Sequence, residues 1–216
     1  MAASNADLVR VLLERHGTTY AAEAGITLKD TPSPLFRLLV LANLLSARID
    51  ARLAVGAARA LSKAGMRTAE RMRDATWQQR VDALGEGGYR RYDERTATML
   101  GEGADLLLER WRGDLRRLRD AADDTDGVRA RLEEVPGIGP TGSAIFCREV
   151  QAVWPAVAPF TDDRVVEGAR AVGLPSDADA LADLVSRRDR PRLAAACVRV
   201  TLDDDAADEV RAAAGG

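Results

Sequence analysis

The sequence has few cysteines and few aromatic residues, and it has no long apolar run. Its two cysteines, Cys147 and Cys197, lie far apart and neither belongs to a CxxC pair. A disulfide scaffold, a zinc site and a cysteine-ligated iron–sulfur cluster are therefore not expected. No stretch reaches the roughly 18 apolar residues of a membrane span, and the N-terminus lacks the basic-then-apolar pattern of a signal peptide. These absences predict a cytoplasmic protein without metal or cofactor.

The composition favours helices. Aromatic residues make up 4% of the 216 residues, whereas alanine, leucine and arginine are abundant. Alanine and straight-chain residues lose little entropy in a helix, while strands prefer β-branched and aromatic residues. We therefore predict an all-α chain with one core or two small lobes. Apolar spacing and start signals place helices near 5–15, 34–47, 51–64, 68–73, 77–84, 95–112, 163–172, 178–186, 190–202 and 206–213, with another pair flanking 136–140.

The charge is slightly acidic and unevenly distributed. The net charge is −3, which argues weakly against nucleic-acid binding because phosphate contacts usually need a basic surface. Binding depends on where the charge lies, however, rather than on its sum. Acidic residues concentrate at 120–126 and 203–209, and arginines at 110–119 and 187–192.

One segment carries a recognisable motif. Residues 129–150 read RARLEEVPGIGPTGSAIFCREV, which predicts a helix, a tight turn around Gly137 and Gly139, and a second helix. Glycines permit backbone angles closed to other residues, and such a turn can direct N–H groups at a phosphate oxygen beside a helix N-terminus. Pro140 has no N–H to donate. By itself the turn is also compatible with an ordinary helical corner.

The surroundings of this turn resemble a known family. The chain resembles the helix-hairpin-helix (HhH-GPD) superfamily of DNA glycosylases, which includes endonuclease III. Four stretches carry the resemblance, in the family's order and rough spacing: SPLFRLLVLANLLSARID at 33–50, GGYRRYDERTATMLGEGADLLLERWRGDL at 87–115, LEEVPGIGP at 132–140 and VWPAVAPFTDDRVVEGARAVGLP at 153–175.

The resemblance implies a fold and an activity. The fold would be two-lobed, with a six-helix barrel lobe at 33–151 that contains the hairpin at about 128–150. The second lobe would combine 1–32 with 152–216. The activity would be base-excision repair: a damaged or mismatched base is swung out of double-stranded DNA and its glycosidic bond is hydrolysed. We expect a monomer, associated with the nucleoid.

The resemblance also implies a catalytic aspartate. Glycosidic cleavage passes through a cationic sugar that a carboxylate stabilises, or for which it deprotonates water. Strict counting from the endonuclease III pattern puts Phe160 at the aspartate position. The Asp162–Asp163 pair instead resembles the alkylation-repair glycosylases, in which the second aspartate is catalytic. We therefore expect Asp163 to be catalytic, with Asp162 as second candidate and helix cap.

Bifunctional members of the family use a lysine just after the hairpin as a Schiff-base nucleophile. That position is Thr141 here, or Gly142 with a one-residue slip, and neither has an amine. The two lysines of the chain, Lys29 and Lys63, align with no family nucleophile. We therefore expect a monofunctional glycosylase. Two alternatives remain: a catalytically inactive DNA-binding protein of this fold, and an abasic-site lyase that uses an unexpected amine.

The remaining site predictions concern DNA contacts. The backbone of the hairpin would hold phosphate, and three arginines are placed for contact with the strand or for filling the hole that a flipped base leaves. Two tyrosines are candidates to line the lesion pocket, although core packing is expected for at least one of them. The predicted contact residues are Gly137, Ile138, Gly139, Thr141, Arg148, Arg164 and Arg48, and the pocket candidates are Tyr89 and Tyr92.

Overall fold

The computed structural model describes residues 3–203 and 205–215, and all of their regular structure is helical. The helices are α1 (Asn5–His16), α2 (Tyr20–Glu23), α3 (Pro32–Leu45), α4 (Ala51–Lys63), α5 (Ala69–Asp74), α6 (Trp77–Glu86), α7 (Asp93–Trp111), α8 (Leu115–Asp120), α9 (Thr125–Glu133), α10 (Pro140–Val150), α11 (Asp163–Val172), α12 (Ala178–Ala182), α13 (Arg190–Val200) and α14 (Ala206–Gly215). Two 3₁₀ turns lie at Pro155–Val157 and Arg187–Asp189. The all-α prediction is confirmed.

The chain forms two compact units. The continuous unit is Ala21–Cys147, and the split unit joins Met1–Tyr20 to Arg148–Gly216. The boundary falls within α10. Residues 21–32 were predicted to belong to the lobe that holds the chain ends, whereas here they group with the continuous unit.

The continuous unit contains five whole helices of nine or more residues, α3, α4, α6, α7 and α9, the six-residue helices α5 and α8, and the parts of α2 and α10 that lie within 21–147. Helix α3 is its most apolar element, since its residues from Leu38 to Leu44 are all buried. It packs against α4, which in turn packs against α6. A Cβ at Gly87 would lie 2.3 Å from the Ala57 Cα, so only glycine allows the end of α6 to approach α4 this closely.

Side-chain caps fix where several helices begin. Asp50 accepts a hydrogen bond from the Arg52 N–H at the start of α4, and Thr76 and Gln79 form a reciprocal capping box at the start of α6. Asp124 caps α9 in the same way, through the Gly127 N–H. Each cap satisfies an N–H that has no partner inside the helix, which is why these helices start where the sequence places an Asp or Thr.

The split unit is organised around α13, which packs against α1 and α11. Helix α11 contributes Val165, Ala169 and Val172, which are buried at the i, i+4, i+7 spacing of one helix face. A Cβ at Gly168 would lie 1.9 Å from the carbonyl oxygen of Cys197. Glycine at this position therefore sets the close approach of α11 to the backbone of α13.

Residues 3–203 and 205–215 lack two features, a helix able to span a membrane and a cluster of metal-binding side chains. No helix there combines the length and the apolar character needed to cross a bilayer. No group of three or more histidine, cysteine, aspartate or glutamate side chains is arranged to hold a metal ion in the same residues.

His16 makes the stability of the split unit depend on pH. Its Nε2 is buried and has no hydrogen-bond partner among the described residues. Burial lowers the pKa of His16 below its usual 6.5, and Arg199 and Arg15 add to this effect, while Asp203 and Glu209 oppose it. The unfolded chain therefore takes up a proton at a higher pH than the folded chain does.

We predict that the free energy of unfolding relative to that of His16→Gln falls as the pH drops below about 6.5, because only the unfolded wild type then gains the proton. Above that pH both states are neutral at His16 and the difference between the two proteins is constant. Urea titrations from pH 8 to pH 5 measure it. A difference that is flat throughout, or that grows towards acid pH, would contradict the prediction.

Candidate functional site

The turn between α9 and α10 is held by the end of α3. Gly137 has a φ of +84°, a left-handed conformation that favours glycine. The Asn43 side-chain amide donates to the Pro136 carbonyl over 3.2 Å. A Cβ at Gly137 would lie 2.2 Å from the Asn43 Nδ2. The buried amide and the left-handed glycine therefore require each other.

A second contact joins the two helices of the hairpin. The Ser143 hydroxyl, on α10, is fully buried and donates to Glu133 Oε1, on α9, over 2.6 Å. Arg129 Nε donates to the same hydroxyl oxygen over 3.3 Å. The bond is partly buried, since the Glu133 side chain is 30% exposed. Because hydrogen bonds to charged groups contribute about 1.5–3 kcal/mol, this contact helps to fix the angle between α9 and α10.

The turn at 136–139, braced by Asn43 and called the braced turn below, leaves backbone donors without acceptors. Among the described residues, the N–H groups of Gly137, Gly139 and Thr141 donate to no acceptor. Gly137 and Thr141 are exposed and Gly139 is partly exposed. A Cβ at Gly139 would meet nothing within 4 Å, so the space outside the turn is open. Three of the four predicted backbone contacts are therefore available to an anion.

Ile138 corrects the predicted contact set. Its side chain is only 5% exposed, and its N–H donates to the Val135 carbonyl over 2.9 Å. The residue therefore has neither surface nor a free donor for DNA. It packs inward instead, where its methyl groups lie 3.4 Å from the position of a Cβ at Gly142, and it anchors the turn from below.

The other predicted residues of the continuous unit differ in exposure. Arg48 is exposed in the turn after α3, and no described residue pairs with its guanidinium. Tyr92 is partly exposed and stacks under the Arg91 guanidinium, 5.3 Å from its ring centroid. Tyr89 is 3% exposed, and burial raises the pKa of its hydroxyl. Tyr89 is thus the core residue of the two tyrosines, and only Tyr92 keeps surface for a base.

The carboxylate pair of the split unit opens α11. Asp162 is the N-cap: its Oδ1 accepts from the Val165 N–H over 3.1 Å, as the sequence analysis expected. Its side chain is 21% exposed, and its Oδ2 lies 3.5 Å from Arg148 Nε. Asp163 is the first helical residue and is exposed, with no hydrogen bond or ion pair to any described side chain. Asp162 is therefore bound by groups of the protein, whereas Asp163 has no described side-chain partner.

The two arginines predicted to contact DNA in this unit have opposite environments. Arg164 is exposed beside the acid pair. Arg148 is 9% exposed, which corrects its predicted contact with phosphate to an internal ion pair with Asp162. Burial lowers the pKa of the Arg148 guanidinium, while the nearby carboxylates of Asp162 and Glu149 oppose that effect.

Two residues of these regions were missed by the sequence analysis. Gln151 is 2% exposed; its Oε1 accepts from the Phe160 N–H over 3.1 Å and its Nε2 donates to the Phe160 carbonyl over 3.4 Å. Asn43 is the other. Each is an amide in or beside an apolar helix, and a buried amide needs a hydrogen-bond partner. That anomaly was the available signal, although the partner could not be read from the sequence.

Neither cysteine nor lysine supplies an evident nucleophile. Cys197 is fully buried, and burial raises the pKa of its thiol to about 12, so the thiolate is not formed at neutral pH. Lys63 Nζ lies 2.8 Å from Glu86 Oε1 in an exposed ion pair. Lys29 is exposed before α3. Thr141, just after the turn, offers only a hydroxyl.

Comparison with solved structures finds a similarity to endonuclease III chains. Two of the similar chains come from a trapped endonuclease III–DNA covalent intermediate in an estranged-adenine complex and from a non-covalent endonuclease III–DNA complex. Each is 16% identical with a TM-score of 0.48 and covers 89% of this chain, and the matches span 84% and 83% of the respective endonuclease III chains. No protein-family model and no curated protein matches the sequence. The site is therefore assigned from the chain's own residues.

We predict that Gly137→Ala destabilises the protein by about 2 kcal/mol or more, because the methyl group adds left-handed strain and meets the Asn43 amide. Gly139→Ala is the matched control, since that position has an ordinary φ and open space. It should lie within about 0.5 kcal/mol of wild type. Urea unfolding compares the two variants, and equal stabilities would show that Asn43 does not constrain the turn.

Proposed function

We propose that this protein is a monofunctional DNA glycosylase that removes a damaged base from double-stranded DNA. The observation that carries the proposal is the braced turn, in which the N–H groups of Gly137, Gly139 and Thr141 donate to no described acceptor and belong to exposed or partly exposed residues. Backbone donors at a helix N-terminus suit a phosphate oxygen and read no sequence. The ordered resemblance of four stretches to the HhH-GPD superfamily supports the same function.

The chemistry needs an ionised acid next to the sugar. Cleavage breaks the bond between C1′ and the base nitrogen, and the base takes the bonding electrons and a proton as it leaves. A water oxygen then bonds to C1′ and gives up a proton, leaving an abasic site and a free base. A carboxylate stabilises the cationic sugar and can accept the proton of the attacking water.

Asp163 is our candidate for that carboxylate. It is exposed at the first turn of α11, and no described residue engages its oxygens. Asp162 has one oxygen bound by the Val165 N–H and the other beside Arg148, so it is less free to reach a substrate. Asp162 is the second candidate.

The absence of a lysine after the hairpin argues for hydrolysis rather than strand cleavage. Thr141 has no amine, so no Schiff base forms at this position. Lys63 is engaged with Glu86, and its sequence position matches no family nucleophile. Water is therefore the nucleophile in this proposal.

We predict that Thr141→Glu lowers the affinity for a duplex by about tenfold or more, because a carboxylate at the turn repels phosphate. Ala130→Glu is the control, since it adds the same charge at an exposed position of α9. Fluorescence anisotropy at one fixed salt concentration measures both. Equal affinities of the two variants would argue against phosphate binding at the turn.

We predict that Asp163→Asn lowers the single-turnover rate of base excision by about a hundredfold or more while duplex affinity is retained, because the acid that stabilises the sugar cation is lost. Asp179→Asn is the matched control, an exposed acid in the first turn of α12 in the same unit. Duplexes with uracil, hypoxanthine, alkylated purines or oxidised bases are the substrates, and alkali reveals the abasic sites.

The assay also separates the alternatives. Excision that survives in both Asp163→Asn and Asp162→Asn would make the carboxylate assignment wrong. Duplex binding by the wild type without excision of any tested base would identify an inactive DNA-binding protein. A protein–DNA adduct trapped by borohydride would identify an amine nucleophile and a lyase, against the proposed hydrolysis.

A further inference from the structure

The C-terminal end of α10 and the residue after it face the segment that precedes α11. Arg148 and Gln151 are three residues apart, and both are nearly inaccessible, at 9% and 2% exposure. Gln151 binds both backbone groups of Phe160, and Arg148 lies beside Asp162. The two side chains therefore contact the chain immediately before Asp163 at two points, both within the split unit.

The Gln151 amide fixes the backbone of Phe160. A side-chain amide that accepts from an N–H and donates to the carbonyl of the same residue reproduces the pairing of two backbones. Its Nε2 also donates to the Arg148 carbonyl over 3.1 Å, so the amide orientation is set at both ends. Phe160 consequently has little freedom to rotate about its backbone angles.

Arg148 holds the next contact. Its Nε is buried and makes no hydrogen bond to a described atom, yet it lies 3.5 Å from Asp162 Oδ2. A buried ion pair adds little net stability, because the loss of hydration offsets the attraction. Its effect is instead geometric: the cation attracts one oxygen of Asp162 while the Val165 N–H binds the other. The cap is thus fixed in orientation.

We propose that Arg148 and Gln151 are positioning residues that fix the segment Phe160–Asp163, and with it the Asp163 carboxylate at the start of α11. The proposal rests on the proposed function for its consequence in catalysis. Neither side chain would touch the substrate. Misplacement of a catalytic group by about 1 Å can cost on the order of a hundredfold in rate, so loss of either contact should slow the chemical step and leave DNA binding intact.

The first test is base excision by Arg148→Met and Gln151→Met. Methionine approximates the shape of each side chain but lacks the guanidinium or the amide. Single-turnover excision should fall by about ten- to a hundredfold in each, with the duplex dissociation constant within about threefold of wild type. Arg148→Lys keeps the charge and should recover part of the rate. Arg170→Met is the control, an exposed arginine on α11 without a described partner. Wild-type rates in both folded methionine variants would overturn the proposal.

The second test needs no activity. In Gln151→Met, hydrogen exchange at the Phe160 amide should accelerate about threefold or more, because that amide loses its acceptor. In Arg148→Met, exchange at the Val165 amide should accelerate to a similar extent, because its acceptor Asp162 loses the cation that orients it. Arg170→Met should leave both amides unchanged. If a methionine variant does not fold, Arg148→Lys and Gln151→Glu replace it, and Gln151→Glu should retain the Phe160 N–H bond but lose both amide donations.

The two tests distinguish the possible failures. If the wild type excises no base but exchange accelerates as expected, the proposed function fails while the structural role of the two residues is supported. If the wild type excises a base but the variants match Arg170→Met in rate and in exchange, the positioning role is wrong. A rate loss that Arg148→Lys does not relieve, with unchanged exchange, would also refute it.

Discussion

The hydrogen bond from the Asn43 amide to the Pro136 carbonyl is the constraint on which the shape of the hairpin depends. It lies between α3 and the turn, in the apolar interior of the continuous unit, where an unpaired amide would be costly. Gly137 adopts its left-handed conformation directly against that amide. The turn is held from inside, and the N–H groups of Gly137, Gly139 and Thr141 donate to no described acceptor. The anion site proposed at this turn would thus follow from the way the turn is bonded on its inner side.

The split unit uses a comparable arrangement around a charge. Burying Arg148 costs hydration, and that cost is acceptable only if carboxylates lie close by. Asp162 and Glu149 supply them. Asp162 therefore serves both as the cap of α11 and as the counter-ion of Arg148, which leaves Asp163 as the acid with no internal task. In both units a buried polar group has a partner inside the unit, and a neighbouring polar group at an exposed residue has no described partner.

Most helices could be predicted because their signals are local. Helix α11 runs over 163–172 as expected, since the cap Asp162 and the terminating Gly173 are both in the sequence. Helix α8, at 115–120, is absent from the predicted helices and lies in a stretch rich in arginine. Its Leu115 and Leu118 are in fact buried, while Asp114 caps the helix and pairs with Arg116. Two buried positions in a six-residue helix are too few for a helical apolar pattern to be recognised in the sequence.

The sequence by itself determined the helical class, the turn at 136–140 and the position of the acid pair before a helix, because capping, glycine conformation and apolar spacing act over a few residues. Tertiary structure alone decided which polar groups make their hydrogen bonds or ion pairs inside the protein. Ile138 and Arg148 were predicted to contact DNA, and the sequence left open which of Tyr89 and Tyr92 packs in the core; Ile138, Arg148 and Tyr89 are all buried. The roles of Asn43 and Gln151 depend on hydrogen-bond partners that lie 93 and 9 residues away in the sequence. Burial and long-range hydrogen bonding depend on the packing of distant segments, which no local pattern encodes.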